Sequence, residues 1–148
     1  MRITTEYTLN DIRKVTQDLT QEAKDQVRLY RLSDPVAFIQ SGMDRASEQY
    51  IVRDDEDYPI ACAGVTHHGS YDSLFLVVST HAIARYRQLC RLAVGWLGVR
   101  PRDVVVRLPE ASTATLRMVE RWGFKPLRVD LHGTFNLVTL VHEKDSRC

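Results

Sequence analysis

Apolar residues recur at helical spacing in five segments of the chain. The first segment follows Thr8, which can cap a helix together with Asp11, and its apolar positions are Leu9, Ile12, Val15 and Leu19. Another segment begins at Asp34 and Pro35, because aspartate caps a helix and proline fits its first turn. Helices are therefore expected over residues 8–19, 21–32, 34–43, 81–97 and 110–122.

Unbroken or alternating apolar runs predict seven strands. Leu74–Val78 is entirely apolar, which is typical of a central strand covered on both faces. Asp54–Asp57 is expected at a hairpin tip and Gly69–Asp72 at the next turn. The strands are expected over residues 2–7, 49–53, 58–65, 74–78, 104–108, 124–131 and 134–143. The predicted order is one strand, two or three helices, three strands, a helix, a strand, a helix and a final hairpin.

Length and composition fit one domain with its own core, since the chain has 148 residues, 44% hydrophobic and 26% charged. No apolar run reaches the ~18 residues of a membrane span, and the strand-like start carries no signal-peptide core. We therefore expect a cytoplasmic protein with no membrane partner. The cysteines are odd in number and fit no zinc or redox spacing, so no metal is expected. Cys62 and Cys90 are expected to be buried, and Cys148 to be a terminal thiol.

Charge is divided unevenly along the chain, although the net charge is only +1. Residues 1–57 carry 12 acidic and 8 basic side chains, whereas residues 58–148 carry 7 acidic and 12 basic ones. From Arg85 to Arg128 there are ten basic residues, nine of them arginine, and three acidic ones. Because guanidinium groups bind oxyanions as a fork, this stretch suits phosphate or an acidic protein surface. The alternative is a solvated helix face.

The segment Ser112–Phe124 resembles the last-helix motif of the GNAT acetyltransferase superfamily, Asn-x-x-Ala-x-x-Leu-Tyr-Glu-Lys-x-Gly-Phe. Glu120, Arg121, Gly123 and Phe124 stand where the motif has Glu, Lys, Gly and Phe. The glycine lets the chain leave the helix in a left-handed conformation and enter the next strand. The predicted order of elements also resembles this superfamily over almost the whole chain. The resemblance implies an α/β (α+β) fold, with a mixed, mostly antiparallel central sheet flanked by helices in a single domain of all 148 residues.

Within that superfamily, the chain is most similar to small acetyltransferase-like internal virion proteins of short-tailed bacteriophages. It shares their length, a hairpin before an apolar strand, and the step Val78–Thr80 into an arginine-rich helix with Arg85, Arg87 and Arg91. The resemblance implies a virion-associated or assembly protein, found in the host cytoplasm during assembly and in the virion. Its implied partners are other virion proteins. DNA ranks behind them, because a net charge of +1 is low for a dedicated DNA-binding module.

Active members of the superfamily bind the pyrophosphate of acetyl-CoA at the start of the central helix, in a loop that reads Gln/Arg-x-x-Gly-x-Gly/Ala. Glycines let the backbone approach the phosphates, and N–H groups of the helix N-terminus hold them. The corresponding stretch here, Ser79–Tyr86, contains no glycine. The alternative role for Ser79 or Thr80 is only to cap the helix. If acetyl-CoA binds, the resemblance assigns its contacts to Ser79, Thr80, His81, Ala82, Ala84, Arg85 and Arg87.

The catalytic residues of the superfamily are also largely replaced. Its general acid is often the tyrosine of the last-helix motif, where this chain has Val119. Ser112 replaces the motif's asparagine, and Tyr86 is the nearest substitute acid, although it also suits core packing. A base usually comes from a carboxylate on the central strands, and Leu74–Val78 offers none. The candidates at the edge of the sheet are His67, His68 and Asp72.

Two functional hypotheses follow from the resemblance. The first is a virion-associated or assembly protein on a degenerate GNAT scaffold, with little or no acetyl transfer. The alternative is an active acetyl-CoA-dependent N-acyltransferase with an atypical pyrophosphate loop. Exposed edge strands also leave a homo-oligomer open.

Overall fold

In the computed structural model, which describes residues 1–29, 34–133 and 135–144, the chain folds into seven strands and six helices. The strands are β1 Arg2–Thr4, β2 Glu48–Arg53, β3 Pro59–His67, β4 Tyr71–Val78, β5 Asp103–Pro109, β6 Lys125–His132 and β7 Phe135–His142. The helices are α1 Leu9–Gln17, α2 Gln21–Leu29, α3 Pro35–Arg45, α4 Thr80–Ala84, α5 Tyr86–Gly98 and α6 Thr113–Arg121. The order is the expected one, with α4 and α5 in place of a single central helix.

The first and third helices begin at the caps that the sequence predicts. The Thr8 hydroxyl accepts from the Asp11 N–H at 3.2 Å, and the Asp11 carboxylate accepts from the Thr8 N–H at 2.9 Å, which completes the capping box. Asp34 accepts from the N–H of Val36 at 3.0 Å, one residue after Pro35. Both predictions are confirmed. Residues 30–32 of the predicted second helix lie outside the described residues.

All seven strands form one sheet in the order β1-β2-β3-β4-β5-β7-β6. Neighbouring strands are antiparallel, except for the parallel pair β4 and β5. The expected mixed, mostly antiparallel sheet is therefore confirmed. Strand β1 ends at Thr4 rather than at Tyr7, because the chain leaves β2 to reach the cap of α1 at Thr8. The first residue predicted for the last strand, Thr134, lies outside the described residues.

Strand β4 begins at Tyr71, three residues before the predicted start at Leu74. Asp72 and Ser73 resemble turn residues in the sequence, but they pair with β3 on one side and with β5 on the other. Asp72 is fully buried. The prediction that the turn includes Asp72 was wrong. A charged residue indicates an exposed turn only where the fold supplies no partners for its charge, and Asp72 has such partners.

The sheet separates two hydrophobic clusters. Leu74, Leu76 and Val78 of β4 face the larger cluster, under α5 and α6, while Phe75 and Val77 face the smaller one, under α1 and α3. Alternate residues of a strand point to opposite faces, so a strand covered on both sides is apolar throughout. The prediction of a central strand over residues 74–78 is confirmed.

The central helix, predicted as one segment, is divided at Arg85 (φ −109°, ψ 36°). The N–H of Arg85 donates to the Ala82 carbonyl three residues back, and the N–H of Leu89 then donates to the Arg85 carbonyl. Ala82 is fully buried at the end of β4, whereas α5 is held by Leu89 and Leu97 against the sheet. Both segments pack on the larger cluster, and the backbone conformation of Arg85 interrupts the helix between them, which helical spacing alone does not reveal.

Two of the three cysteines lie within the described residues. Cys62 is fully buried, as predicted, and burial raises the pKa of its thiol to about 12. Cys90 is only half-buried, and its sulfur accepts a hydrogen bond from Trp122 Nε1 at 3.3 Å. The prediction that Cys90 is buried was wrong, because α5 packs on the sheet with one side only and no other described element packs on its outer side. Cys148 lies outside the described residues.

Gly123 ends α6 with a φ of +108°. The N–H of Gly123 donates to the Glu120 carbonyl, and the N–H of Phe124 donates to the Val119 carbonyl. A Cβ at Gly123 would lie 3.0 Å from two ring atoms of His142. The glycine of the Gly-Phe pair is therefore required both by the backbone conformation and by the neighbouring imidazole.

We expect Gly123→Ala to lower the free energy of unfolding by about 1–3 kcal/mol, because the alanine adopts a strained backbone against His142. Urea unfolding monitored by circular dichroism measures the change. Gly98→Ala, at a helical position where an added Cβ meets no atom within 4 Å, is the matched control. It should be neutral or stabilise by up to about 1 kcal/mol. Equal effects of the two substitutions would contradict the requirement for glycine at position 123.

Candidate functional site

Strands β4 and β5 pair over four residues only, Tyr71–Leu74 with Asp103–Val106. Beyond these, Phe75–Val78 continues its pairing with β3, and Arg107–Pro109 continues its pairing with β7. The two parallel strands thus separate toward their C-terminal ends. They leave a gap in the middle of the sheet between Phe75–Val78 and Arg107–Pro109, which we call the wedge.

A segment from the N-terminal part of the chain crosses the open end of the wedge. This segment, Asp18–Ala23, is called the strap. Leu19 forms an isolated antiparallel bridge with Ser79, the residue that follows β4. Other residues of the strap lie between β4 and the start of α6, where a cavity of about 10 Å³ remains. The strap therefore covers the end of the wedge that lies beside Ser79 and α6.

The strap occupies hydrogen-bonding groups at the start of α4. The N–H of Thr80 donates to the Asp18 carbonyl at 2.7 Å, and the N–H of Ala82 donates to the Ser79 carbonyl at 3.1 Å. The Nε2 atom of His81 lies 3.1 Å from an Asp18 carboxylate oxygen. A carboxylate therefore lies beside the N-terminus of α4, and the first N–H group of this helix is bound to the strap.

The seven residues expected to contact a cofactor differ in their exposure. Ser79 and Ala82 are fully buried. The exposed residues are Thr80, Ala84 and Arg87, and the half-buried ones are His81 and Arg85. Within the described ranges, the Ser79 hydroxyl has no hydrogen-bond partner. A buried hydroxyl of this kind is a group that a ligand can use, and Leu19 of the strap forms its bridge at the same residue.

Glu22 is a site residue that the sequence analysis missed. Its carboxylate accepts from the N–H groups of Ala114 and Thr115 at 3.0 and 3.2 Å, and from the Thr115 hydroxyl at 2.7 Å. It therefore caps α6, whose own N-cap residue, Ser112, makes no side-chain cap. A negative charge at a helix N-terminus stabilises it by roughly 0.3–1 kcal/mol. No local pattern signals this contact, because 92 positions separate Glu22 from Ala114.

The two catalytic candidates lie at opposite ends of α6. Ser112 is buried at its N-terminus and lines the wedge. Tyr86 is half-buried on α5, and its hydroxyl accepts from Arg121 Nη1 at 3.0 Å, while the guanidinium lies 5.4 Å from the ring centre. The nine residues of α6 span roughly 13 Å between these points. Val119, at the position of the family's tyrosine, is fully buried in the core.

His67 and Asp72 belong to a group of charged side chains at the paired end of β4 and β5. This ion cluster consists of Glu48, His67, Asp72, Arg100 and Arg102. The Asp72 carboxylate lies 2.8 Å from His67 Nδ1 and accepts from Arg100 at 3.0 Å. It also accepts from Arg102 at 3.2 Å. Arg100 donates two further bonds to Glu48, at 3.1 and 2.8 Å. The cluster therefore ties β2, β3 and β4 to the connection that leads into β5.

The ion cluster keeps its carboxylates charged. Burial raises the pKa of the Asp72 carboxyl, but hydrogen bonds from His67 and Arg100 outweigh it and leave that pKa below its ordinary value. Hydrogen bonds with Arg100 lower the pKa of Glu48, and the same bonds raise the pKa of Arg100. Asp72 thus sits between partners at the closed end of the wedge, where it holds strands together.

An open trough of about 420 Å³ runs along the sheet face beside α2 and α3. His68 lies on its wall, stacked on the Tyr71 ring at 4.9 Å, with Nε2 2.9 Å from the Ser73 hydroxyl. Arg45 and Arg107 also line the trough, with exposed side chains. No carboxylate occurs among the described residues that line it. The trough can therefore receive a small polar or anionic group, and His68 is its titratable imidazole.

Among the residues that the structure describes, no group of three or more His, Cys, Asp or Glu side chains is placed to hold a metal ion. Over the same ranges, no helix is both long enough and apolar enough to cross a membrane.

Solved structures with the same architecture are acetyltransferases. The chain matches a GNAT-family acetyltransferase from Bacillus anthracis with a TM-score of 0.66 and 13% identity, over 98% of this chain and 99% of that one. It matches the ribosomal-protein alanine N-acetyltransferase of Escherichia coli with a TM-score of 0.65 and 13% identity, over 96% and 92%. It also matches a GNAT-superfamily phosphinothricin acetyltransferase from Sinorhizobium meliloti in complex with AcCoA, with a TM-score of 0.64 and 12% identity, over 96% and 87%.

No protein-family model matches the chain, and no curated protein matches its sequence. At 12–13% identity, the likeness to these structures concerns the fold. The chain therefore has the GNAT fold, as the last-helix motif and the order of elements predicted.

Arg100→Gln is expected to lower the free energy of unfolding at pH 7 by about 3 kcal/mol, because Asp72 then remains buried with less compensation. In the native chain, the lowered pKa values of Glu48 and Asp72 give stability that is complete above about pH 4.5 and is lost as the pH falls. In the variant, the pKa of Asp72 is expected to be higher than in the native chain, because burial still raises it and the Arg100 hydrogen bond that lowers it is lost. Protonation of Asp72 then removes the poorly compensated buried charge at a higher pH. The difference between the two proteins should therefore narrow toward pH 4.

Urea midpoints at pH 7 and near pH 4 measure this difference. Arg28→Gln, which removes an exposed pair with Asp25, is the matched control and should change stability by less than about 0.5 kcal/mol. A difference for Arg100→Gln that is small, or equal at the two pH values, would show that Asp72 does not depend on this partner.

Proposed function

We propose that this chain is a virion-associated or assembly protein of a bacteriophage, which uses the GNAT fold as a binding scaffold and transfers little or no acetyl group. The observation that carries the proposal is the strap. It bonds to the start of α4 through Asp18 and to the start of α6 through Glu22, on both sides of the wedge. The phage assignment rests on the resemblance of the sequence to internal virion proteins.

A pyrophosphate at the start of α4 would meet two obstacles. The Thr80 N–H is bound to the Asp18 carbonyl, and the Asp18 carboxylate lies beside His81. A second carboxylate, that of Glu22, occupies the start of α6. Because like charges in a partly buried site repel, these acids disfavour a bound polyanion. The residues present therefore do not fit the pyrophosphate while the strap is in place.

The chemistry of acetyl transfer also lacks its usual acid. Val119 stands in the place of the tyrosine and cannot donate a proton, and Tyr86 accepts a hydrogen bond from Arg121 at the C-terminal end of α6. Ser112 at the wedge is too weak an acid to replace it. The missing acid and the strap over the wedge both disfavour acetyl transfer. One fold can serve many functions, so the GNAT fold is compatible with a role other than catalysis.

The second candidate function is an acetyl-CoA-dependent N-acyltransferase. One observation favours it, because the open trough of about 420 Å³ extends into the wedge at Leu76 and Leu108 and carries His68, an imidazole that can accept a proton. The S. meliloti neighbour binds AcCoA on the same fold. In this reading the strap must leave the wedge before the cofactor enters. Arg45 and Arg107 would then favour an acceptor that bears an acidic group.

Acetyl-CoA at about 1 mM is expected to leave the melting temperature of the purified chain unchanged. A ligand at ~100 times its Kd adds about 2.7 kcal/mol, which raises the melting temperature of a domain of this size by roughly 5–10 °C. Inorganic pyrophosphate at the same ionic strength controls for anions that bind exposed arginines. A shift of several degrees with acetyl-CoA alone would support the acyltransferase and contradict the scaffold.

The surface proposed to dock a partner lies on α5 and α6. These helices carry four arginines and one acid, namely Arg87, Arg91, Arg117, Arg121 and Glu120. Arg87 and Arg91 are one turn apart on the same side of α5 and are exposed, as is Arg117 on α6. We call these three residues the arginine face. Two other arginines of the basic stretch, at positions 100 and 102, belong to the ion cluster and do not contribute to it.

Simultaneous replacement of Arg87, Arg91 and Arg117 by glutamine should reduce the number of copies retained in purified phage particles by about tenfold or more, because each exposed charge contributes up to ~1 kcal/mol to an acidic partner. Quantitative mass spectrometry of the particles measures retention. Washing at about 0.5 M salt should release the native chain as well. Arg28→Gln is the control, and unchanged retention of the triple variant would contradict the arginine face.

A further inference from the structure

Strand β6 is exposed along its whole length. It forms one edge of the sheet, and all eight of its residues are exposed. Among them, Leu127, Val129 and Leu131 are 63%, 54% and 75% exposed. Val129 lies opposite Val138, which belongs to the larger hydrophobic cluster, so the apolar side of β6 extends that cluster beyond the cover of α6. Edge strands that carry exposed apolar residues are templates for pairing with another chain.

We propose that β6 pairs with β6 of a second copy of this chain, antiparallel about a two-fold axis at Val129. The residues around Val129 read Leu127-Arg128-Val129-Asp130-Leu131. A leucine lies two positions away on each side of Val129, and the two adjacent residues carry opposite charges. With Val129 opposite its own copy, Arg128 faces Asp130 of the second copy. Leu127 faces Leu131 in the same way. Each cross-strand pair is then either apolar or of opposite charge.

The two-fold axis excludes the neighbouring registers. An antiparallel pair of identical strands within one sheet must centre on a residue, because a shift by one position would bring side chains of opposite faces together. Centring on Arg128 places two guanidinium groups opposite each other, and centring on Asp130 places two carboxylates opposite each other. Directly opposed like charges are destabilising. Val129 is therefore the centre that the charges of this segment select.

Both ends of the paired segment are limited by the strand itself. Lys125 and Pro126 begin β6, and the register shifts between Pro126 and Arg128. Lysine, proline and bulges are the features that natural edge strands use against pairing. On the other side, Gly133 turns the chain with a φ of +63°. Pairing is therefore confined to about five residues around Val129, with the bulged Leu127 at its margin.

The assembly closes as a dimer. The opposite edge of the sheet, β1, is only three residues long, and its Arg2 is paired with Asp57 of the hairpin tip. A two-fold contact through β6 uses the same surface on both copies, so no free β6 edge remains to extend the assembly. Because the paired segment is short, the interface falls at the low end of specific contacts, and we expect micromolar dissociation.

Sedimentation velocity of the full chain, from about 1 to about 300 µM, tests the proposal through a charge exchange. Arg128→Asp alone and Asp130→Arg alone each place like charges opposite each other, and each should weaken dimerisation about tenfold or more. The double variant Arg128→Asp/Asp130→Arg restores opposite pairs in the same register and should return the dissociation constant to within about threefold of the native value.

The design separates dimerisation from folding. The salt bridge of Arg128 with Asp130 within one copy, at 2.8 Å, is more than half exposed and is re-formed in the double variant. Arg28→Asp, a similar change on an exposed helix, is the control and should leave the dimer intact. A monomer at every concentration would overturn the proposal, as would a dimer that ignores the single substitutions or is not rescued by the double one. Pairing of β6 only with a different protein would overturn it too.

Discussion

The buried carboxylate of Asp72 anchors the end of β4 and β5 at which the two strands are paired. It lies at the start of β4, where β4 and β5 are still paired, and it holds Arg100 and Arg102 from the connection that leads into β5. Breaking a buried ion pair leaves an uncompensated charge, so this end of the two strands cannot open without a large loss of stability. Separation of the strands is therefore possible only at the other end, which is where the wedge lies.

The wedge leaves backbone groups and helix starts that some other group must satisfy. In this chain the strap does so, through the bridge between Leu19 and Ser79, the bond from Thr80 to Asp18, and the cap that Glu22 gives α6. Other proteins satisfy helix starts with anions, because the N–H groups and the helix dipole favour negative charge. A carboxylate from the chain itself can accept hydrogen bonds from the same N–H groups as such an anion. Under the proposed function, the strap and a bound polyanion would therefore compete for the same N–H groups.

Two surfaces of the molecule carry different kinds of binding potential. The outer side of α5 and α6 is cationic and suits an acidic partner, whereas the edge strand β6 offers apolar side chains with a balanced pair of charges. Electrostatic attraction to the cationic surface acts at long range and weakens with salt, whereas pairing through β6 depends on strand register and direct contact. Because these surfaces lie on different elements, the proposed partner docking and the proposed self-association can be tested separately.

The sequence by itself determined most of the helices and strands and, through their order and the last-helix motif, the fold. Capping at Thr8 and Asp34, the apolar run of β4 and the Gly-Phe pair after α6 are local patterns, and each fixes a helix end or a buried strand within a few residues. Only the tertiary structure decided the site. Glu22 caps a helix 92 positions away, and Asp72 is buried by partners from other elements. Such contacts carry no local signal, because their stability comes from charges that the fold brings together.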